Sequence, residues 1–532
     1  MATVVRWRRP TPTAGWLVWV AAGAVAAAML LAPAYLVLRA AQAGGGAWDV
    51  VQRDSTMWAL SRTAWLAFTT AIGAVAIAVP LAWLTARSDL PFRRVWAILL
   101  SLPLAVPSYV AGYVFVSAFG PRGSVQQALE PLGVERLPEI YGFWGAWFAL
   151  TFFTFPYVLL PCRAALVTMN PAIEEAARSL GKGRIATFRL VTLPHMLPAI
   201  AAGGLLVALY AVSDFGAVSL LRYDTLSRVV FLQYLTSFDR SAAAAVALLL
   251  VGFAVAVVAA ESFLRGRSRY DAVAQERKPS VARLGRWKWP ALAFCSLIAL
   301  ASIVMPLSVI GYWLLRGISN GSTFNSVGWA TVNSIYASGL AAWTAAIMAL
   351  PVVYLAVRKG GFAAWILERS AHVGFALPGI AVALALVFLA ARYVPGVYQT
   401  LGLLVFAYVV RFLPQALGAT RTSLIQVNPH TEEAGRGLGS SAAAVFAKIT
   451  MPQIRPGIWA GASLVFLTTV KELPVTLLLS PTGFESLATE IWSATNEALF
   501  AQAALPALIL ITVSSIPMVL GVIRERCEPD DD

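Results

Sequence analysis

Charged residues are scarce in this sequence. Only 12% of its 532 residues are Asp, Glu, Lys or Arg, whereas 59% are hydrophobic. Soluble domains usually carry about 25% charged residues, because their surface faces water. The mean hydropathy is +0.73, which leaves no room for a large soluble domain. The composition therefore predicts a polytopic membrane protein.

Cysteine and histidine are also rare, with three of each. Cys162, Cys295 and Cys527 are far apart and form no CxxC pair, so neither a disulfide framework nor a zinc site is indicated. The histidines are equally scattered. We expect no metal site, no catalytic residue and no cofactor bound by this chain.

Catalytic and nucleotide-binding motifs are missing as well. No span contains HExxH, GxSxG or a pair of acids with histidines, so an intramembrane enzyme is not indicated. The phosphate-binding sequence GxxxxGK[ST] is absent too. Any ATP and Mg²⁺ that drive this protein must therefore be bound by another chain.

Twelve apolar stretches are present, and a helix needs about 20 apolar residues to cross a membrane. Because lipid offers no partner for backbone amides, each should be helical, giving an all-α fold with about 12 transmembrane helices. The first stretch is too long for a signal peptide and is interpreted as a retained helix. The stretches are about 15–38, 60–86, 95–119, 141–161, 196–221, 241–264, 289–315, 333–357, 371–394, 401–420, 457–480 and 502–523.

The net charge of +14 comes from Lys and Arg in alternate connecting segments, notably 163–189, 265–288 and 421–455. Such asymmetry is the positive-inside bias of membrane proteins, so it does not indicate a nucleic-acid partner. It predicts a multi-pass membrane protein, in contact with lipid, with both termini in the cytoplasm.

The chain repeats itself. Residues 170–198 and 428–456 share a polar pattern in which equivalent positions lie 258 apart. Pro80 and Pro351, like Pro107 and Pro378, lie 271 apart. Because six spans precede the second unit, both halves enter the membrane with the same orientation, as in a parallel repeat. The predicted halves are 1–264 and 289–532, joined by the basic linker 265–288.

The two polar segments predict a helix–turn–helix outside the bilayer. Asn170 and Asn428 are good N-caps, and each is followed by a proline at the first helical position. Gly181 and Gly439 then interrupt the helix. Such an amphipathic element can fill a cleft on a cytoplasmic partner, or it can be a solvated loop held by lipid headgroups.

A family resemblance rests on these segments. Glu175-Ala176-Ala177 with Gly181, Val191 and Leu193-Pro194 resembles the EAA loop of binding-protein-dependent ABC importer permeases. The second copy departs from that pattern at Gly435 and Met451. The resemblance implies a type I importer permease of the bacterial inner (plasma) membrane, two ABC ATPase subunits in the cytoplasm and a periplasmic or lipid-anchored substrate-binding protein. It also assigns the residues that couple to the ATPases: Glu174, Glu175, Ala176, Gly181, Glu432, Glu433, Ala434 and Gly439.

The substrate is a further question. The stretches DFGAVSLL and KELPVTLLLSPTGFESLATEIW, together with the fused layout, resemble the ferric-iron subfamily of these permeases. Thiamine, spermidine/putrescine and sulfate permeases are the alternatives. An ion-coupled secondary transporter also has two parallel halves, but it has no ATPase to which twin loops would dock.

Two acids lie inside predicted spans, at Asp214 and Glu472, again 258 positions apart. Acids within the membrane are costly and usually face the protein interior. They predict either a carboxylate pair beside a translocation pathway or a structural role, with Glu472 paired to Lys471 or to a neighbouring helix.

Overall fold

The computed structural model describes residues 15–42, 45–121, 123–133, 137–236, 240–265, 282–324 and 326–524. These residues are predominantly helical. An isolated parallel β-bridge joins Ser88 to Ala282. Within the described part before the linker, fourteen α-helices follow one another. They are α1 (Trp16–Gln42), α2 (Gly45–Gln52), α3 (Asp54–Arg87), α4 (Arg93–Leu99), α5 (Ser108–Phe119), α6 (Ser124–Leu129), α7 (Phe143–Thr154), α8 (Pro156–Thr168), α9 (Pro171–Ser179), α10 (Arg184–Thr187), α11 (Leu193–Ser213), α12 (Gly216–Leu220), α13 (Leu226–Thr236) and α14 (Arg240–Arg265).

Thirteen further α-helices lie in the described residues after the linker. They are α15 (Lys288–Ala299), α16 (Met305–Ser319), α17 (Val327–Tyr354), α18 (Gly361–Ala371), α19 (Val373–Ala376), α20 (Gly379–Tyr393), α21 (Leu401–Gln426), α22 (Pro429–Gly437), α23 (Ala442–Val445), α24 (Met451–Val470), α25 (Pro474–Leu479), α26 (Leu487–Asn496) and α27 (Phe500–Arg524). Short 3-10 turns and π-helical segments join some of these helices. Two π-helical segments, Phe188–Thr192 and Phe446–Thr450, occupy equivalent positions of the two polar repeats.

The all-α polytopic architecture is confirmed, but not every predicted span is one continuous helix. In the described residues, eight helical stretches are long and apolar enough to cross a membrane, or nine if one bent pair counts as a span. The predicted span at 371–394 contains the shorter apolar helix Gly379–Tyr393, and the one at 502–523 overlaps the shorter apolar helix Phe500–Ser515. The span predicted at 457–480 is split between α24 and α25.

Prolines explain one kind of break. The predicted span at 95–119 is bent by 92° between its two helical parts. Val106, before Pro107, has φ −86° and ψ 117°, and Leu377, before Pro378, has φ −87° and ψ 121°. A proline disfavours helical dihedrals for the residue before it, so both helices end at this point.

The described residues pack as two compact units, which do not coincide with 1–264 and 289–532. Unit 1 draws on Met1–Val50, Gln233–Val251 and Ser326–Thr489. Unit 2 draws on Val51–Leu232, Gly252–Asn325 and Glu490–Asp532. The halves predicted as sequence repeats are therefore not the units of packing. The repeat boundary itself stays a prediction.

Each unit contains the same trio of packed helices. In unit 2, α3, α8 and α11 pack on one another, and in unit 1, α17, α21 and α24 do so. A Cβ on Gly203 would lie 2.7 Å from Val158 Cα, and one on Gly461 would lie 3.0 Å from Ala416 Cα. Small residues let membrane helices approach closely, and these two contacts lie at equivalent positions of the repeat.

Candidate functional site

The first polar loop, residues 170–198, folds as its caps predict. The Asn170 side chain accepts a hydrogen bond from the Ala172 amide at 2.9 Å, and Pro171 begins α9. The helix ends at Gly181, which has φ +80°, a left-handed conformation that glycine adopts without strain. The amide of Lys182 donates to the carbonyl of Ala177, which closes the helix end.

The second polar loop, residues 428–456, has the same construction. The Asn428 side chain accepts from the His430 amide at 3.0 Å, and Gly439 has φ +85° after α22. Ser441 caps the short returning helix through the Ala444 amide at 3.2 Å. The predicted helix, cap and break are thus present in both loops.

Several residues assigned to coupling are exposed. Glu175 and Glu433 point outward, and Ala176 and Ala434 beside them are exposed as well. Each pair is equivalent in the repeat, so the two loops present one surface twice. The assignment of these residues to coupling stays a prediction.

Two exposed leucines belong to the same surface, and sequence reasoning missed them. Leu180 is 80% exposed and Leu438 is 88% exposed, and each directly precedes the glycine that ends its helix. A large apolar side chain fully open to water is unfavourable, by about 1.5–3 kcal/mol relative to burial. The sequence did contain a signal: the same apolar residue, leucine, precedes the glycine in both loops, at positions 258 apart.

Glu174 and Glu432, also assigned to coupling, are buried instead. Thr192 donates to the Glu174 carboxylate at 2.7 Å, and Thr450 donates to the Glu432 carboxylate at 3.0 Å. These side chains are turned toward the protein and are not part of the exposed surface of the loops. Their part in coupling stays a prediction, and any such part must act through buried contacts.

The partner of each buried acid is an arginine at the end of a long helix. Arg87, 2% exposed, lies 4.0 Å from Glu174. Its Nε donates to the Leu166 carbonyl at 2.9 Å and its Nη2 donates to the Met169 carbonyl at 2.8 Å. It therefore satisfies carbonyl groups where the chain leaves α8, a position that favours a cation.

Arg358 does the same in unit 1. It donates from Nη2 to the Glu432 carboxylate at 2.9 Å and to the Val427 carbonyl at 3.1 Å. Sequence reasoning did not single out either arginine. The available signal was their spacing of 271, the offset already shared by the prolines inside their helices.

Asp214 and Glu472 each lie where a long helix breaks. Asp214 follows α11, and its Oδ2 accepts from the amides of Ala217 and Val218 at 3.1 and 3.3 Å, at the start of α12. Glu472 follows α24 and accepts from the Val475 amide at 3.4 Å. Both carboxylates therefore cap a short helix, as acids do at helix N-termini.

Glu472 also forms an ion pair with Arg411 of α21. A Cβ on Gly379 would fall 2.7 Å from Glu472 Oε1 and would also meet the Arg411 guanidinium, so a larger residue there would displace the pair. Sequence reasoning named Lys471 or a neighbouring helix as the partner of Glu472, and the neighbouring helix supplies it. The position equivalent to Arg411 in the other repeat is Phe153, so the pair is built into one half alone.

The end of the linker is docked beside Arg87. Asp89 accepts from the Leu284 amide at 2.8 Å and from Lys288 Nζ at 3.0 Å. The amide hydrogen bond and the ammonium charge stabilise the carboxylate and lower the pKa of Asp89.

Among the described residues, no group of three or more His, Cys, Asp or Glu is placed to hold a metal ion.

The chain is similar in sequence to several known transport permeases. The Fe(3+)-transport system permease protein FbpB 2 of Haemophilus influenzae is 32% identical over 492 residues, which are 91% of this chain and 94% of that protein. The sulfate transport system permease protein CysT of Salmonella typhimurium is 30% identical over 226 residues, 41% of this chain and 80% of that protein. The thiamine transport system permease protein ThiP of Brucella suis is 32% identical over 233 residues, 42% of this chain and 43% of that protein.

A family match covers both halves. Residues 78–269 and 343–524 each match the family described as binding-protein-dependent transport system inner membrane component. The two matches include both polar loops and, from the trios of packed helices, all of α8, α11, α21 and α24 with the C-terminal parts of α3 and α17. This agreement confirms the resemblance that the loops indicated. The chain is therefore a multi-pass membrane protein that belongs to the family of binding-protein-dependent transport system inner membrane components.

Proposed function

We propose that this protein is the permease subunit of an ATP-driven importer and that it carries ferric iron delivered by a substrate-binding protein. The observation that carries the proposal is the similarity to an Fe(3+)-transport permease over 91% of this chain. The sulfate and thiamine permeases match less than half of it. A cargo shared with a relative that matches both halves is the simplest inference.

Two ATPase subunits complete the proposed transporter. They bind ATP and Mg²⁺, so this chain forms the pathway and performs no hydrolysis. Closure of the ATPases draws the two loops together and opens the cavity outward, toward the binding protein. In this arrangement the loops, the linker and both termini lie in the cytoplasm, in keeping with the basic segments of the sequence.

The twin loops support ATPase docking. Both expose a glutamate in the middle of the loop helix and a leucine just after its end, and the equivalent residues of the two loops lie 258 positions apart. A cleft on a partner would bury the leucine and meet the carboxylate. Two copies of one surface suit two copies of one partner, as expected for a chain that contains both halves.

Uptake into membrane vesicles tests this function. The vesicles contain this chain and its ATPase, with binding protein and labelled ferric iron on the side that the binding protein reaches. We expect saturable uptake that requires ATP and the binding protein. The matched control is an ATPase variant that binds ATP without hydrolysing it, which must abolish uptake.

Other outcomes would revise the proposal in defined ways. Uptake of thiamine or sulfate instead of iron would keep the ATP-driven importer and replace the cargo. Uptake that an ion gradient drives without ATP would overturn the proposal and indicate a secondary transporter. Loops that never associate with the ATPase would indicate that lipid headgroups hold them.

A further inference from the structure

We propose that Arg87 and Arg358 are positioning residues for energy coupling. Each ties one polar loop to the end of a long membrane helix, so that a displacement of the loop is passed to that helix. This inference rests on the proposed function, because it assumes that the loops receive the motion of an ATPase. It adds an element that the loop motif does not contain.

In unit 2, Arg87 forms the junction between the loop and a long helix. Arg87 is the last residue of α3, which runs over 34 residues from Asp54. Its Nη1 lies 4.0 Å from the carboxylate of Glu174 in the loop helix α9, an ion pair without a hydrogen bond, and its Nε and Nη2 donate to the last carbonyls before that helix. One side chain therefore joins α3, the end of α8 and the loop.

An equivalent junction exists in unit 1. Arg358 follows α17 and holds the Glu432 carboxylate through Nε at 3.1 Å and Nη2 at 2.9 Å. Arg436, on the same loop helix, lies 3.9 Å from the other carboxylate oxygen. Both arginines occur at equivalent places, although the junctions differ in detail.

Burial shields both junctions from water. The carboxylates of Glu174 and Glu432 are buried, and each also receives a threonine hydroxyl from the returning strand of its loop. Buried ion pairs are screened less than exposed ones, and charge-assisted hydrogen bonds such as those of Arg358 are stronger than neutral ones. The loop helix is therefore held to its long helix at a point where water does not compete, while its outer face stays open to a partner.

Arg358 is the better residue to change. Beside Arg87, the backbone also pairs with the linker, since the Ala282 amide donates to the Arg87 carbonyl at 2.8 Å. A change at Arg87 would disturb the linker as well as the loop. The key variant is therefore Arg358→Met, which keeps the aliphatic stem but loses every charged hydrogen bond. Arg358→Lys keeps the charge but loses the planar guanidinium, whose N–H groups donate in a fixed geometry.

The matched control is Arg421→Met. Arg421 belongs to the same unit and forms an ion pair with Glu368 at 2.9 Å, but it does not contact either loop in any described hydrogen bond or ion pair. It controls for the loss of one arginine–glutamate pair near a helix end. All variants are assembled with the ATPase and the binding protein. ATPase association, ATP hydrolysis and labelled uptake are then measured on the same complexes.

We expect Arg358→Met complexes to retain the ATPase and to hydrolyse ATP, but to transport about tenfold less, within the range of coupling between distant sites. The ratio of ATP hydrolysed to substrate transported should rise, and Arg358→Lys should restore part of the loss. Arg421→Met should keep the normal ratio. Since a purely structural role would lower yield without changing that ratio, the ratio separates the two roles.

Three results would overturn the inference. One is a normal ratio in Arg358→Met complexes, and another is loss of ATPase association in a correctly folded variant. If Arg358→Met does not fold, Arg358→Lys decides, and a normal ratio there would count against the inference. A wild-type chain that neither associates with the ATPase nor needs ATP would instead refute the proposed function, which is a distinguishable failure.

Discussion

Gly435 and Ile449 fit together across the second loop. A Cβ on Gly435 would lie 2.6 Å from Ile449 Cδ1, which is closer than van der Waals contact allows. The equivalent residues of the first loop are Ala177 and Val191. Compared with the first loop, the second loop has one carbon fewer on the loop helix and one carbon more on the returning helix. The departure from the family pattern at Gly435 is a compensated exchange of volume.

The variant Gly435→Ala should overpack this contact. We expect destabilisation of about 1–3 kcal/mol, the usual cost of an extra methyl group in a packed site. The double variant Gly435→Ala with Ile449→Val should recover most of that loss, because it restores the combination of the first loop. Thermal unfolding of the purified protein in detergent measures both. A single variant as stable as the wild type would show that Ile449 moves aside freely.

Replacing Leu180 and Leu438 with aspartate should abolish association with the ATPase. Both side chains are exposed, so the substitutions remove no packing within this chain. Folded yield should therefore stay normal, which size-exclusion chromatography checks. The control is Ile318→Asp, at a residue that is 61% exposed at the end of α16, on the side predicted to face outward. Retained co-purification of the ATPase with the double variant would contradict the docking surface.

Glu472→Gln and Asp214→Asn should differ in their effect on stability. The first leaves the charge of Arg411 without its carboxylate, and breaking a buried pair typically costs about 3–5 kcal/mol. The second keeps a capping oxygen, and Asn caps helices about as well as Asp, so its cost should stay under about 0.5 kcal/mol. Folded yield and uptake per folded molecule measure the two effects. Lost uptake at normal yield, for either variant, would instead support a place in the translocation pathway.

Docking of the linker end should resist a moderate change of pH. The pKa of Asp89 is lowered in the folded protein, so its ionised form contributes stability above the ordinary aspartate pKa of about 3.9. That contribution is lost only as the pH falls through the lowered value. Protection of the Leu284 amide from hydrogen exchange, corrected for intrinsic rates, should stay constant from about pH 8 to 5. Asp89→Ala should lose this protection throughout, and a loss that begins near neutral pH would contradict the assignment.

Local features of the loops were predictable because they depend on neighbours in sequence. A cap at Asn170 needs only an amide two residues later, and the bend at Gly181 needs only a residue that tolerates positive φ. The contacts of Arg87 with Glu174 join residues 87 positions apart, which no local pattern reveals. The same is true of Arg411 and Glu472. The repeat pointed to equivalent positions but not to which of them touch.

The break near Glu472 illustrates a second limit. Hydropathy treats 457–480 as one apolar stretch, but α24 ends at Val470 and α25 begins at Pro474. The carboxylate that caps α25 and the arginine that pairs with it decide the outcome, because unsatisfied amides in lipid are costly. Composition measures how apolar a stretch is. It does not measure where the backbone finds partners.

The interleaved units have a consequence for biosynthesis. Unit 1 combines Met1–Val50 with Ser326–Thr489, so its earliest segment emerges from the ribosome long before most of its packing partners exist. At about 5–20 residues per second, the delay before residue 326 is at least some 15 seconds. During this time α17, α18 and α20, the helices on which α1 packs, have not yet been made. A chain cut at the linker would have to find these contacts between separate molecules, whereas the continuous chain keeps both partners at high local concentration until the second half is complete.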